Sequence, residues 1–216
     1  MHTALFKLPH YLRITALACL GGLALSACGN PGNGSGNGVA QSGTVVALGE
    51  AKLGGPFTLT DQNGDAFTQD DLIGKPSLLY FGFSYCPDVC PSALQNMGAV
   101  QERADPDGTK VNYVFIGVDV KRDTPESLTP YVTSRGFAKN LIGLSGTQAQ
   151  MDAATTAYKV YAQKVDDPQS AAEYTFDHSD LMILLDENGQ FKDLFTRATT
   201  VPEMASRVKF LIDSGK

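Results

Sequence analysis

Residues 77–91 read SLLYFGFSYCPDVCP. The first seven, Ser77 to Phe83, are almost continuously apolar, which at this length fits a buried strand. Two cysteines follow, Cys86 and Cys90, four positions apart and each directly before a proline. A proline pushes the residue before it out of the α region. The sequence therefore places Cys86 in a turn with Pro87 at its second position. Cys90 becomes the cap of a helix that Pro91 opens and that runs to about Ala104. That location is the positive end of a helix dipole, which favours a thiolate on Cys90.

The pair has three readings: a staple, a redox dithiol or a grip on a metal. A disulfide needs Cβ atoms about 3.5–4.5 Å apart, whereas residues four apart on a regular helix hold them at about 5–6 Å. A metal with sulfur bonds of about 2.3 Å spans the wider gap more easily. The turn at Cys86 interrupts the helix, and a loop this short gains little from a staple. All three readings stay open on spacing alone.

Upstream, the first 27 residues read as a leader. Lys7, His10 and Arg13 give a basic start, and Ile14 to Leu25 is an apolar run of 12. That run is too short to span a bilayer and suits a signal-peptide core. It ends in LSAC, Leu25 to Cys28, which resembles a bacterial lipobox with cleavage before Cys28 and a lipid on its thiol. Gly29 to Gly43 is rich in Gly, Asn and Ser and reads as a flexible tether. The expected organisation is a signal peptide at 1–27, a lipidated Cys28 with its tether at 28–44, and one folded domain at 45–216. The expected address is extracytoplasmic and membrane-anchored, where disulfides can persist.

Removing the leader takes away Lys7, Arg13, Cys19, His2 and His10. Fifteen bases then face 23 acids, about −8 overall, which argues against a nucleic-acid partner. With Cys28 carrying lipid, two cysteines and one imidazole remain: Cys86, Cys90 and His178. Two thiolates and one imidazole form a soft donor set that suits Cu(I) and can serve Cu(II) or Zn. Asp177 and Asp180 flank His178; one of them could orient it, and otherwise they read as solvated loop acids. Met97, Met151, Met182 and Met204 are scattered and read as core packing.

Downstream, Phe57 to Thr68 alternates around Asn63-Gly64, a hairpin signal. Asn112 to Val120 is a second buried strand. Thr124 and Pro125 open a helix that Gly136 closes, with Pro130 kinking it. Leu141 to Leu144 is a short strand and Thr147 to Tyr158 a helix. Leu181 to Phe195 folds as a hairpin around Asn188-Gly189, and Thr200 to Ser214 is the closing helix. Strands alternating with helices give an α/β sheet with βαβ crossovers, an N-terminal hairpin, and a C-terminal antiparallel hairpin plus helix. A cysteine pair after the first buried strand, at a helix start, is a thioredoxin-like arrangement.

Three blocks then carry a family resemblance: YFGFSYCPDVCPSAL (Tyr80 to Leu94), VDVKRDTPESL (Val118 to Leu128) and DHSD (Asp177 to Asp180). Together they resemble the SCO/SenC family, in order over most of residues 50 to 214. The resemblance implies a thioredoxin-like fold in which Cys86, Cys90 and His178 bind copper. It further implies a metallochaperone that assists assembly of the CuA site in cytochrome c oxidase subunit II, as copper donor, as thiol reductant, or both. Asp88 matches the motif interior and Asp119 an acid near the site, with Val120 standing where the family pattern has proline. The implied partners are that subunit, a thiol reductant for the cysteines, and a membrane through the lipid. The alternative function is an extracytoplasmic thiol–disulfide oxidoreductase that uses Cys86 and Cys90. A peroxidase would place a threonine three residues before Cys86, where Phe83 stands. No GxSxG, P-loop or HExxH pattern supports a hydrolase or nucleotide reading.

Overall fold

The computed structural model describes residues 53–215. The leader, Cys28 and the tether lie outside the described residues. A hairpin comes first: β1 (Thr58–Asp61) and β2 (Ala66–Thr68) pair antiparallel across a turn in which Gly64 takes φ +90°. A short 3-10 turn, Gln69–Leu72, follows; its cap, Thr68, exchanges bonds with Asp71 in a capping box.

The central strands are β3 (Ser77–Gly82), β4 (Asn112–Gly117) and β5 (Leu141–Ser145), parallel and in adjacent register. Every residue of β3 is buried, as a strand covered on both faces requires. Helix α1 (Val89–Ala104) crosses from β3 to β4, and α2 (Pro125–Val132) from β4 to β5. Helix α3 (Gln148–Tyr158) starts at Thr147, whose hydroxyl accepts from Gln150 N in a second capping box. On the other side of β3 runs the hairpin β8 (Leu181–Leu185) and β9 (Phe191–Thr196), with β8 antiparallel to β3. The full order is β2-β1-β5-β4-β3-β8-β9. Helix α4 (Val201–Ser214) has Pro202 in its first turn and a Thr200–Glu203 capping box, and packs on α1.

This is the α/β, thioredoxin-like sheet that the sequence predicts, with three differences. Helix α1 begins at Val89, two residues earlier than expected, so Cys90 is its second residue and Pro91 its third. The first four N–H groups of a helix have no intrahelical partner, so a proline at the third position loses no bond. Helix α2 stops at Val132, two residues past Pro130, rather than continuing toward Gly136. The third difference is an unforeseen ribbon. Strands β6 (Ala162–Asp166) and β7 (Tyr174–His178) pair only with each other, Ala162 opposite His178 and Asp166 opposite Tyr174. Among the described residues no helix is long and apolar enough to cross a membrane.

Candidate metal centre

Strand β3 ends at Gly82, and the chain turns through Ser84 and Tyr85 into Cys86, whose N–H donates to Phe83 O at 3.2 Å. Asp88 occupies the N-cap of α1 but its side chain makes no capping bond. The sulfur of Cys86 takes that role: Cys90 N–H donates to Cys86 Sγ at 3.4 Å. Both cysteines are unbridged and buried, Cys90 completely.

The helix terminus therefore acts on Cys86, not on Cys90 as the sequence reading expects. The Cys90 thiol beside it, together with the N–H groups of Cys90, Asp88 and Val89, lowers the Cys86 pKa to about 5 against its burial. Cys90 is driven the other way. Its bond to Cys86 and its own burial push its thiol well above the ordinary range. The pair titrates as a unit, with the first proton lost residing on Cys86. In the reduced protein, iodoacetamide is expected to modify Cys86 at a rate that stays flat from about pH 8 to 6 and halves near pH 5, because the attacking thiolate persists down to its depressed pKa. Peptide mass spectrometry would follow it; a rate falling steadily below about pH 8.5 would return Cys86 to an ordinary thiol.

His178 is the last residue of β7. Its Nδ1 lies 3.1 Å from the Ser179 carbonyl. A carbonyl only accepts, so Nδ1 carries a proton, and in the neutral imidazole the lone pair is then on Nε2. Nε2 points to Cys90 Sγ at 3.5 Å. The ring stands edge-on to Tyr80 and Phe83, with centroids at 6.1 and 5.8 Å, and Phe83 also packs on Phe176 of β7.

These positions can be tested against a metal's bond lengths. Sulfur at about 2.3 Å and nitrogen at about 2.0–2.1 Å from one ion, at tetrahedral to trigonal angles, stand about 3.5–3.8 Å apart. The Cys90–His178 separation of 3.5 Å falls in that range. Among the described residues no three His, Cys, Asp or Glu side chains already form a closed metal-ligating cluster. Cys90 touches both of the others, and closure requires Cys86 Sγ and His178 Nε2 to meet on the same ion. The donor set fits a soft cation once that approach is made.

The carboxylates separate by role. Asp177 is exposed on β7 opposite Gln163, and the acceptor on His178 Nδ1 is the Ser179 carbonyl instead of a neighbouring acid. Asp180 accepts from the Tyr80 hydroxyl at 3.0 Å and pairs with Arg197 at 3.1 Å. Asp88 is exposed and lines a cavity of about 230 Å³ beside the cysteine turn, together with Tyr80, Asp180, Met182 and Met204. Asp119 is 2% exposed; it accepts from Tyr174 Oη at 3.0 Å and forms an ion pair with Arg122 Nε at 2.9 Å that lacks hydrogen-bond alignment. The loop closes without the family's proline, through bonds from Arg122 N and Asp123 N to Asp119 O.

Sequence reading missed Asp123. Its Oδ1 accepts from both Ser84 N and Ser84 Oγ, and its Oδ2 from Asp119 N. It thereby ties the loop after β4 to the turn that carries Cys86, and burial raises its pKa to about 6. The signal lay in the KRDTPE block, whose acid reads as part of a helix start. The four scattered methionines, Met97, Met151, Met182 and Met204, are all buried core residues as expected.

The SCO1/SenC family pattern matches residues 46–213. The mitochondrial SCO2 protein of Saccharomyces cerevisiae is 43% identical over 152 residues, 70% of this chain and 50% of that protein. The chain thus spans half the length of that relative. Protein SenC of Rhodobacter capsulatus is 42% identical over 165 residues, 76% of this chain and 72% of SenC. Among solved structures, Bradyrhizobium japonicum ScoI with copper bound superposes with a TM-score of 0.67 at 43% identity, covering 74% of this chain and 99% of ScoI. Yeast Sco1 with copper bound gives 0.68 at 34% identity, covering 76% and 90%. With its sequence pattern, its relatives and its fold in agreement, the chain belongs to the SCO1/SenC family.

Proposed function

We propose that this protein binds copper on Cys86, Cys90 and His178 and delivers it during cytochrome c oxidase assembly, to the CuA site of subunit II. The observation that carries the reading is the approach of the only imidazole downstream of the leader to the buried thiol of Cys90, itself in contact with Cys86. Copper is the cargo, and two relatives of the same fold are described with copper bound. Uptake requires both thiols to lose their protons, so copper affinity falls with acidity. The ion leaves by exchange of these ligands for acceptor thiolates and imidazoles. A lipid on Cys28 and the tether after it would hold the domain at the outer membrane surface within reach of a membrane-embedded oxidase. In that compartment the empty pair oxidises to a disulfide unless a thiol reductant maintains it.

The second reading, a thiol–disulfide oxidoreductase, is favoured by the asymmetry of the pair: an acidic Cys86 to attack and a protonated Cys90 to resolve. His178→Ala separates the two. A copper carrier is expected to lose affinity about 10–100-fold or more, since even a partner that only orients a ligand is worth that much. A dithiol enzyme keeps its exchange rate. Copper binding by competition titration, unchanged in His178→Ala, would overturn the metal reading.

A further inference from the structure

His178 and the two thiols ride on different segments: β7 pairs as a strand only with β6, and the main sheet reaches His178 only through β8, which starts three residues later beside β3. Something else must set where the imidazole stands. The packing of Phe83 on Phe176 and His178 holds the ribbon down, but apolar contact has little directional preference.

Direction comes from the start of β7. Arg122 Nη2 donates to the Tyr174 carbonyl at 2.9 Å, and its guanidinium lies 3.4 Å from the centre of the Tyr174 ring. Arg122 Nε is 2.9 Å from Asp119, which also accepts from the Tyr174 hydroxyl. The same guanidinium lies 4.8 Å from the ring of Tyr85, the residue before Cys86. The Arg122 side chain is only 13% exposed. One planar cation therefore bridges the segment that carries Cys86 and the strand that ends in His178, using stacking, charge and a main-chain bond together. A lysine can supply the charge but neither the fork nor the stack.

We propose that Arg122 is a positioning residue for the copper site: through Tyr174 it sets the approach of His178 to the thiols. The inference rests on the three-ligand reading above. Its test is Cu(II) binding to the reduced full chain, comparing wild type, Arg122→Gln, Arg122→Lys, Tyr174→Phe and His178→Ala. Copper affinity and the nitrogen splitting in the electron paramagnetic resonance spectrum are read together with the sulfur-to-copper absorption band. Arg122→Gln is expected to bind copper about tenfold more weakly. Its sulfur band should remain while the single-imidazole nitrogen splitting is lost or becomes heterogeneous, as in His178→Ala. Arg122→Lys should resemble Arg122→Gln, because charge alone does not position the strand. Tyr174→Phe, which removes only the bond to Asp119, should weaken binding a few-fold in the same direction and serves if the Arg122 variants fail to fold. Folded Arg122 variants with wild-type affinity and nitrogen splitting would overturn the proposal, as would rescue by lysine. A wild-type protein that binds copper with no nitrogen signature would overturn the three-ligand reading first, and this proposal with it.

Discussion

Replacing Cys90 with alanine is expected to lower copper affinity by at least about 100-fold while leaving the fold in place. The magnitude follows from the share of one ligand. A four-ligand structural zinc site contributes about 10–16 kcal/mol, so one donor carries about 2.5–4 kcal/mol, or roughly 100- to 1,000-fold. Cys90 should sit at the high end for two reasons. It is the one donor in contact with both others. Its loss also removes the thiol whose bond most strongly acidifies Cys86, so the remaining ligand binds protons more readily. The stability cost should be far smaller, about 1 kcal/mol for one small buried side chain. A competition titration with a Cu(I) chelator, beside thermal unfolding of the metal-free protein, measures both. Copper affinity within tenfold of wild type would remove Cys90 from the site.

The second large effect concerns the helix that bears the pair. Helix α1 touches the connection between α2 and β5 at two glycines, Gly98 and Gly136, the latter at φ +90°. A Cβ at position 98 would stand 2.2 Å from the Gly136 carbonyl oxygen and 2.9 Å from Phe137 C. Both obstacles are backbone, so no side-chain rotation relieves them, and the helix must shift by roughly 1 Å in a close-packed interior. Gly98→Ala is expected to cost about 3 kcal/mol, lowering the melting temperature by about 6–12 °C in a domain of this size. Gly64→Ala is the control: that glycine also has φ +90° but nothing lies within 4 Å of its Cβ position, so only the conformational cost of about 1–2 kcal/mol remains. Equal melting temperatures for the two variants would show that α1 accommodates the methyl without moving.

Much of this architecture is legible in the sequence because its signals are local. The β3 run is apolar throughout, the hairpins turn at Asn63-Gly64 and Asn188-Gly189, and α3 and α4 announce themselves with Thr caps. The candidate ligand set came from elimination instead: with the leader set aside and Cys28 assigned to a lipid, Cys86, Cys90 and His178 are the cysteines and histidine left in the sequence. The ribbon was not legible. AQKVD shows no apolar alternation and is mostly exposed, and the ribbon is fastened by Phe83–Phe176 and Arg122–Tyr174, contacts between residues far apart in the chain. The choice of thiolate was missed for a subtler cause. Two Cys-Pro steps look alike in sequence, yet one lies before the helix and the other inside its first turn. Only the two-residue offset of the helix start decides which sulfur meets the free N–H groups.

The separateness of β6 and β7 has an energetic meaning. A pair of strands that bonds only to itself can open without breaking a single hydrogen bond of the seven-stranded sheet. Such a segment is a small cooperative unit of its own, opening at a free energy below that of global unfolding. Cys90 is completely buried and Cys86 nearly so, whereas the imidazole belongs to this shallower unit. The three donors of the proposed site therefore do not share one stability: opening the ribbon breaks the contacts of His178 with Cys90 and Phe83 and withdraws the nitrogen, while β3 and α1 still hold the thiols.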